Sequence, residues 1–390
     1  MCAATTLAPD SFLHGVPGIR PVIIGLFCAF VLTKSGRKLA AHVILGNIRK
    51  SLLLLPLRTR CQIIKRIFTL PISHGRRAMN QSTHPFGYQW DTIIKVDRDD
   101  VKGHWIIPKA NEHGGLKWAE NTANDADLVI MYVHGGGFRL GNSLMYMSSF
   151  LHMIDRLQKV HGIRARIFSV EYRMYPEQQW PVSRQDCEKA YSYLVRDLQL
   201  DPSKIIIGGD SAGGHVTATL LLSIRDQLQS KEVVSMSSIA RLPLPMPRGA
   251  VMISPWANME SDSPTYTTNA SKDCLPFKPG DRHGWLFPNF DTMSKDEQDA
   301  MLKDPYVSPM YGNYEGVCPV LVTIGGEEVF AHDIEQLIER LKENKVKVDV
   351  VSRPDTVHIW AIERFLTQNE KIWLEGINKI VDWCASAIHQ

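Results

Sequence analysis

Ser211 lies at the centre of Gly209-Asp210-Ser211-Ala212-Gly213-Gly214, directly after the apolar run Ile205-Ile206-Ile207. The pattern reads as a strand that turns sharply into a helix, with a serine at the apex. Small residues two before and two after the serine let the backbone fold tightly. Such a turn lifts the hydroxyl clear of the sheet and aims the amides of the next helix at the same place, the geometry of an activated nucleophile. Taken alone, the pentapeptide also suits a phosphate-binding turn or a plain tight corner. His134-Gly135-Gly136-Gly137-Phe138 follows a second apolar run of strand length, Leu128 to Val133. Consecutive glycines can point bare N–H groups into a cavity, as acyl transfer requires for the negative charge on the carbonyl oxygen. A flexible loop is the competing reading. Its place between a buried strand and an amphipathic helix, upstream of the serine turn, speaks against that.

Together these two motifs resemble the hormone-sensitive-lipase-like branch of the α/β-hydrolase superfamily, which carries His-Gly-Gly-Gly ahead of Gly-Asp-Ser-Ala-Gly. Glu171-Tyr172-Arg173-Met174-Tyr175-Pro176-Glu177, with Trp180-Pro181 and Asp186, and Asp304-Pro305-Tyr306-Val307-Ser308-Pro309 add to the likeness. It covers roughly residues 85–388. The resemblance implies an α/β fold, with a mostly parallel central sheet, helices on both faces and a helical cap. It also implies the chain order nucleophile, acid, histidine. Glu328 is the acid expected from the register of the motif after Val320–Gly326, with Glu327 and Asp333 as rivals; the family usually has Asp there. His358, in Asp355-Thr356-Val357-His358-Ile359-Trp360, is the expected base, and His332 is expected at the start of a helix. The oxyanion would lie on the amides of Gly136, Gly137 and Ala212, with the His134 side chain organising that loop. The implied activity is a serine carboxylesterase acting on short- to medium-chain, or acetyl, esters of a lipophilic alcohol. A non-catalytic small-molecule receptor on the same fold, and an acyltransferase or dehydratase using the same serine, remain open. No cofactor and no metal are expected.

The elements that position these residues show in the apolar pattern. Strands are expected at 92–96, 104–107, 128–133, 166–170, 205–208, 250–253, 320–324 and 348–351. Helices are expected at 148–160, 181–198, 212–228, 333–343 and 369–387. Such alternation implies a mostly parallel sheet covered on both faces. Residues 229–248 read as a loop, and 256–311 as an irregular insertion completing the cap.

With 390 residues, 44% hydrophobic and 22% charged, the composition is that of a globular chain large enough for an enlarged single domain. Seven scattered cysteines show no metal-finger spacing. The net charge of +3 hides an asymmetry: before Asp91 there are twelve Lys or Arg and one acid, Asp10, while the rest has 32 basic and 40 acidic residues. Without aromatic interleaving this does not read as a nucleic-acid site. A membrane surface or a targeting role fits better. The apolar run 21–32 between Arg20 and Lys34 spans about 18 Å as a helix, too short to cross a bilayer. Residues 1–84 are therefore read as a basic, helical cap or membrane-associating segment, and 85–390 as the catalytic domain. Endoplasmic reticulum membrane, cytoplasm and mitochondrion stay open as locations, as does the oligomeric state.

Overall fold

The computed structural model describes residues 49, 51–230 and 242–389. The apolar run 21–32 and most of the loop expected at 229–248 lie outside the described residues. Residues Leu55–Gln390 make one compact unit, and everything below concerns that unit.

Eight strands form one sheet in the order β1-β2-β4-β3-β5-β6-β7-β8. They are β1 (Ile93–Asp97), β2 (Lys102–Ile106), β3 (Leu128–Val133), β4 (Ala165–Val170), β5 (Ile205–Asp210), β6 (Gly249–Ile253), β7 (Val320–Gly325) and β8 (Val348–Arg353). β1 and β2 pair antiparallel, β2 joins β4 antiparallel, and every later pairing is parallel. β3, β5, β6 and β7 are buried at every position, which is why they read as unbroken apolar runs. β8 is the exposed edge and shows no such run.

The connections fix the layers. From β3 the chain crosses through helix Met147–His161 to β4 on one side, then returns through Val182–Ser192 to β5 on the other. Right-handed crossovers in opposite directions place these two helices on opposite faces of the sheet. Ala212–Gln229 and Ala331–Glu343 continue in the second direction and share the face of Val182–Ser192. The last helix, Glu370–Ile388, packs on Met147–His161.

Two segments depart from the sequence pattern. The stretch expected as one helix at 181–198 ends at Ser192 and relaxes into a wide turn over Tyr193–Asp197. The insertion at 256–311 is less irregular than its composition suggests. It contains the helix Lys295–Leu302, started by a capping box in which Ser294 and Glu297 bond reciprocally. Ahead of the sheet, helices Leu57–Thr69 and Ile72–Thr83 follow Pro56 and Pro71. Each begins where proline's fixed φ and missing N–H suit a helix start.

Candidate active site

The serine turn is built from steric necessity. Ser211 has φ 55° and ψ −118°, outside the regions a side chain favours. Such a conformation costs on the order of 1–3 kcal/mol and persists only where the surroundings impose it. Here they do. The Ser211 amide donates to the Ile253 carbonyl at the end of β6 (2.9 Å), and the Ser211 carbonyl accepts from Trp256 and His215 (3.0 Å each). The flanking glycines fit against the end of β3. A Cβ on Gly209 would come 2.7 Å from the Val133 carbonyl oxygen, and one on Gly213 would come 2.8 Å from that of His134.

The glycine loop runs from His134 at the end of β3. Gly136 and Gly137 have φ of 108° and 61°. Among the described residues, the amides of Gly136, Gly137 and Ala212 donate to no group of the protein. The loop is held from behind. The Gly135 amide and the Tyr132 hydroxyl each donate to Asp210 Oδ1 (2.9 Å), and the Tyr146 hydroxyl donates to Asp210 Oδ2 (2.6 Å). His134 stacks on Tyr172 with ring centroids 4.4 Å apart, and the Tyr172 hydroxyl donates to the His134 carbonyl (2.7 Å). His134 Nδ1 lies 2.7 Å from the Gly135 carbonyl. A carbonyl only accepts, so Nδ1 carries the proton. That bond engages the ring in shaping its own loop.

His358 is 2% exposed and Glu328 0%, and His358 Nδ1 lies 2.8 Å from Glu328 Oε2. The other oxygen, Oε1, accepts from the Gly325 amide (2.6 Å) and the Ser254 hydroxyl (3.2 Å). Ser254 also accepts from the Ile359 amide (3.0 Å), so one hydroxyl joins the acid to the histidine loop. Ser211 and the His358 loop thus hang from consecutive residues, Ile253 and Ser254. His358 Nε2 is buried and makes no hydrogen bond, to Ser211 or to any other described residue. In unliganded sites this bond is often open, and it tightens when substrate binds. Burial lowers the His358 pKa, opposed by the charges of Asp273 and Asp210, so the imidazole is neutral and basic at neutral pH. Burial pushes the Glu328 carboxyl up to about 8, against the Gly325 and Ser254 donors. Both shifts have the same cause, the cost of charge in a dry site, and the Nδ1–H of the imidazole donates to the acid at 2.8 Å.

The rival acids lie elsewhere. Glu327 is half-buried and faces Lys272 at 3.8 Å. Asp333 is buried in the helix Ala331–Glu343 and bonds to Ser263, and His332 opens the same helix. The roles of Asp210, Ser254 and Asp273 were not read from the sequence. Asp210 stands inside the serine motif and could have been singled out there. The other two carry no local signal. Among the described residues, no group of three or more His, Cys, Asp or Glu could hold a metal ion.

Residues 130–362 match the model of the alpha/beta hydrolase fold family. The chain belongs to that family. An acetyl-hydrolase from Streptomyces hygroscopicus is 26% identical over 251 residues, 64% of this chain and 73% of that protein. The crystal structure of EstE5-PMSF superposes with a TM-score of 0.62 at 26% identity, covering 82% of this chain and 92% of that one. An esterase from the bacterial hormone-sensitive lipase family superposes at 0.61 with 24% identity, over 85% and 98% of the two chains.

Proposed function

We propose that this chain is a serine carboxylic-ester hydrolase working through an acyl-enzyme. The observation that carries the proposal is the buried His358–Glu328 pair at 2.8 Å, whose free Nε2 has no partner among the described residues, beside a serine held at φ 55° on a strand-to-helix turn. His358 Nε2 takes the serine proton as Oγ attacks the ester carbonyl. Glu328 holds the Nδ1–H tautomer and stabilises the imidazolium. The oxyanion rests on the three amides, each worth on the order of 10²–10³ in turnover. His358 then protonates the leaving alcohol, and water, deprotonated by the same imidazole, releases the acid. His134 shapes the glycine loop and takes no proton.

The surroundings of His358 and of the glycine loop support the choice of substrate class. Phe330 meets the His358 ring edge-on at 5.1 Å, with Trp256 and Phe277 packed on Phe330. Phe68 of the helix Leu57–Thr69 reaches within 3.5 Å of where a Gly137 Cβ would be. This contact supports reading the helices before residue 85 as a cap over the oxyanion site. Apolar surroundings of this kind are compatible with short- to medium-chain acyl groups, acetyl included, on a lipophilic alcohol. The relative named an acetyl-hydrolase agrees with that choice. The basic, apolar stretch 20–34 supports attachment to a membrane surface, tested by flotation of the whole chain with anionic vesicles. No helix of the described residues is long and apolar enough to cross one.

The deciding experiment is hydrolysis of p-nitrophenyl acetate, butyrate and octanoate by the wild type and by Ser211→Ala. Activity that collapses in the variant supports the reading and ranks the acyl lengths. Equal activity in both refutes Ser211 as nucleophile. Absence of turnover together with failure of an organophosphate to label Ser211 would favour a binding protein on a hydrolase scaffold.

A further inference from the structure

Asp273 lies between β6 and β7, outside every motif read above. It is 0% exposed. Its Oδ1 accepts from the amides of Cys274 (2.7 Å) and His358 (3.0 Å), and its Oδ2 accepts from the amide of Val329 (2.8 Å). One turn earlier, Asn269 Nδ2 donates to the carbonyls of Gly326 (3.1 Å) and Glu328 (3.0 Å). The Asp273 amide bonds back to the Asn269 carbonyl (3.0 Å), so both side chains leave a single turn. Asn269 therefore supplies donors to the backbone carrying the acid, and Asp273 supplies acceptors to the backbone on either side of the acid–base pair. A buried carboxylate is expensive unless amides or a cation compensate. Three amides offset part of that cost, and burial still raises the Asp273 carboxyl above its ordinary value. Among the described residues Asp273 forms no ion pair with Lys or Arg, and its charge acts on the His358 imidazole.

We infer that Asn269 and Asp273 form a clamp that sets the distance between Glu328 and His358, and that the Asp273 carboxylate favours the imidazolium formed when His358 takes the serine proton. The inference rests on the serine-hydrolase reading. Neither residue touches substrate or reacting atoms; both are positioning residues. The carboxylates acting on His358 are Glu328 through the hydrogen bond, and Asp273 and Asp210 through space.

The test uses the whole chain and two readouts. The first is the low-field proton resonance of the His358 Nδ1–H bond, followed against pH, which needs no substrate. The second is kcat per Ser211 titrated with an organophosphate. Asn at position 273 must set an NH₂ group against an amide that can only donate. For Asp273→Asn the resonance should broaden or move upfield and its midpoint should shift to lower pH. Its kcat per titrated site should fall about 10- to 100-fold with KM nearly unchanged, as expected for a displaced base. Asn269→Ala should lower kcat with the midpoint unmoved, because it removes no charge. Should Asp273→Asn not fold, Asn269→Ala with unaltered kcat per titrated site overturns the clamp. The inference also falls if Asp273→Asn keeps the resonance, its midpoint and a kcat per titrated site within about twofold of wild type. A wild type that neither turns over ester nor labels at Ser211 refutes the hydrolase reading instead, and the resonance still reports whether the clamp holds the pair.

Discussion

Replacing Asp210 by Asn tests how the glycine loop is held. Asp210 is fully buried, and burial raises its carboxyl from 3.8 to about 6, against the hydroxyls of Tyr146 and Tyr132 and the Gly135 amide. The neutral form is therefore favoured by folding. The linked stability is complete below about pH 4 and is lost as the pH rises through about 6. Two units correspond to roughly 3 kcal/mol that the wild type forgoes at neutral pH. Asn carries no such burden. Its oxygen can keep the Tyr132 and Gly135 bonds, while its NH₂ faces the Tyr146 hydroxyl, which can turn round and accept. Two buried donors, the second amide hydrogen and the Tyr146 hydroxyl hydrogen, are then left unmatched, costing about 1–3 kcal/mol each at any pH. The relief of about 3 kcal/mol offsets much of that loss at pH 7.5, and only about 1 kcal/mol of relief remains at pH 4.5. Urea denaturation of both proteins at the two pH values reads this difference, because every other titrating group is common to both. The variant should gain about 2 kcal/mol on the wild type between pH 4.5 and 7.5. Its kcat should fall, since a negative charge acting on His358 is gone. A stability difference that is the same at both pH values, or that worsens as the pH rises, would refute the reasoning.

Glu328→Gln keeps the shape of the acid but cannot hold both the Nδ1–H bond and the Gly325 amide bond as the carboxylate does. Its kcat should drop by about 10³–10⁴ while the melting temperature changes little, by the precedent of misoriented triad histidines. Gly213→Ala places a methyl group against the Val133 and His134 carbonyls, so β3 and the turn must part. A loss of at least about 1–3 kcal/mol in urea, together with failure of organophosphate labelling, is expected. The kcat/KM profile for p-nitrophenyl butyrate should keep its plateau on acidification to below the ordinary histidine value, because burial lowers the His358 pKa. A midpoint above the ordinary value would contradict this. EDTA should leave activity unchanged; its loss after dialysis against chelator would count against a mechanism built from these residues alone.

What could be read from the chain and what could not divides along sequence distance. The strand runs are legible because central parallel strands are apolar on both faces, and β3, β5, β6 and β7 all lie within a residue or two of the expected spans. The serine turn is legible because its constraints are local: Gly209 and Gly213 bracket Ser211 within five residues and meet the neighbouring strand end through their missing side chains. The resemblance to a family then carried the acid and the histidine, whose surroundings alone would not have chosen Glu328 over Glu327.

The residues that were not legible act at long range through groups every residue possesses. Asp273 reaches the His358 backbone across 85 positions, and Ser254 reaches the Ile359 backbone across 105. A backbone amide has the same chemistry whatever side chain it bears, so no spacing or composition announces such a bond. Yet these contacts decide whether Glu328 and His358 meet at 2.8 Å or drift apart. The side chains that break bonds are rare types in recognisable turns. Those that hold them in place are ordinary polar residues whose meaning depends on the fold. In this chain they cluster on the segment between β6 and β7, the part whose composition gave the least warning of order. Substitutions there should therefore separate assembly of the site from its chemistry, by lowering turnover at each labelled Ser211 without touching any residue that contacts the ester.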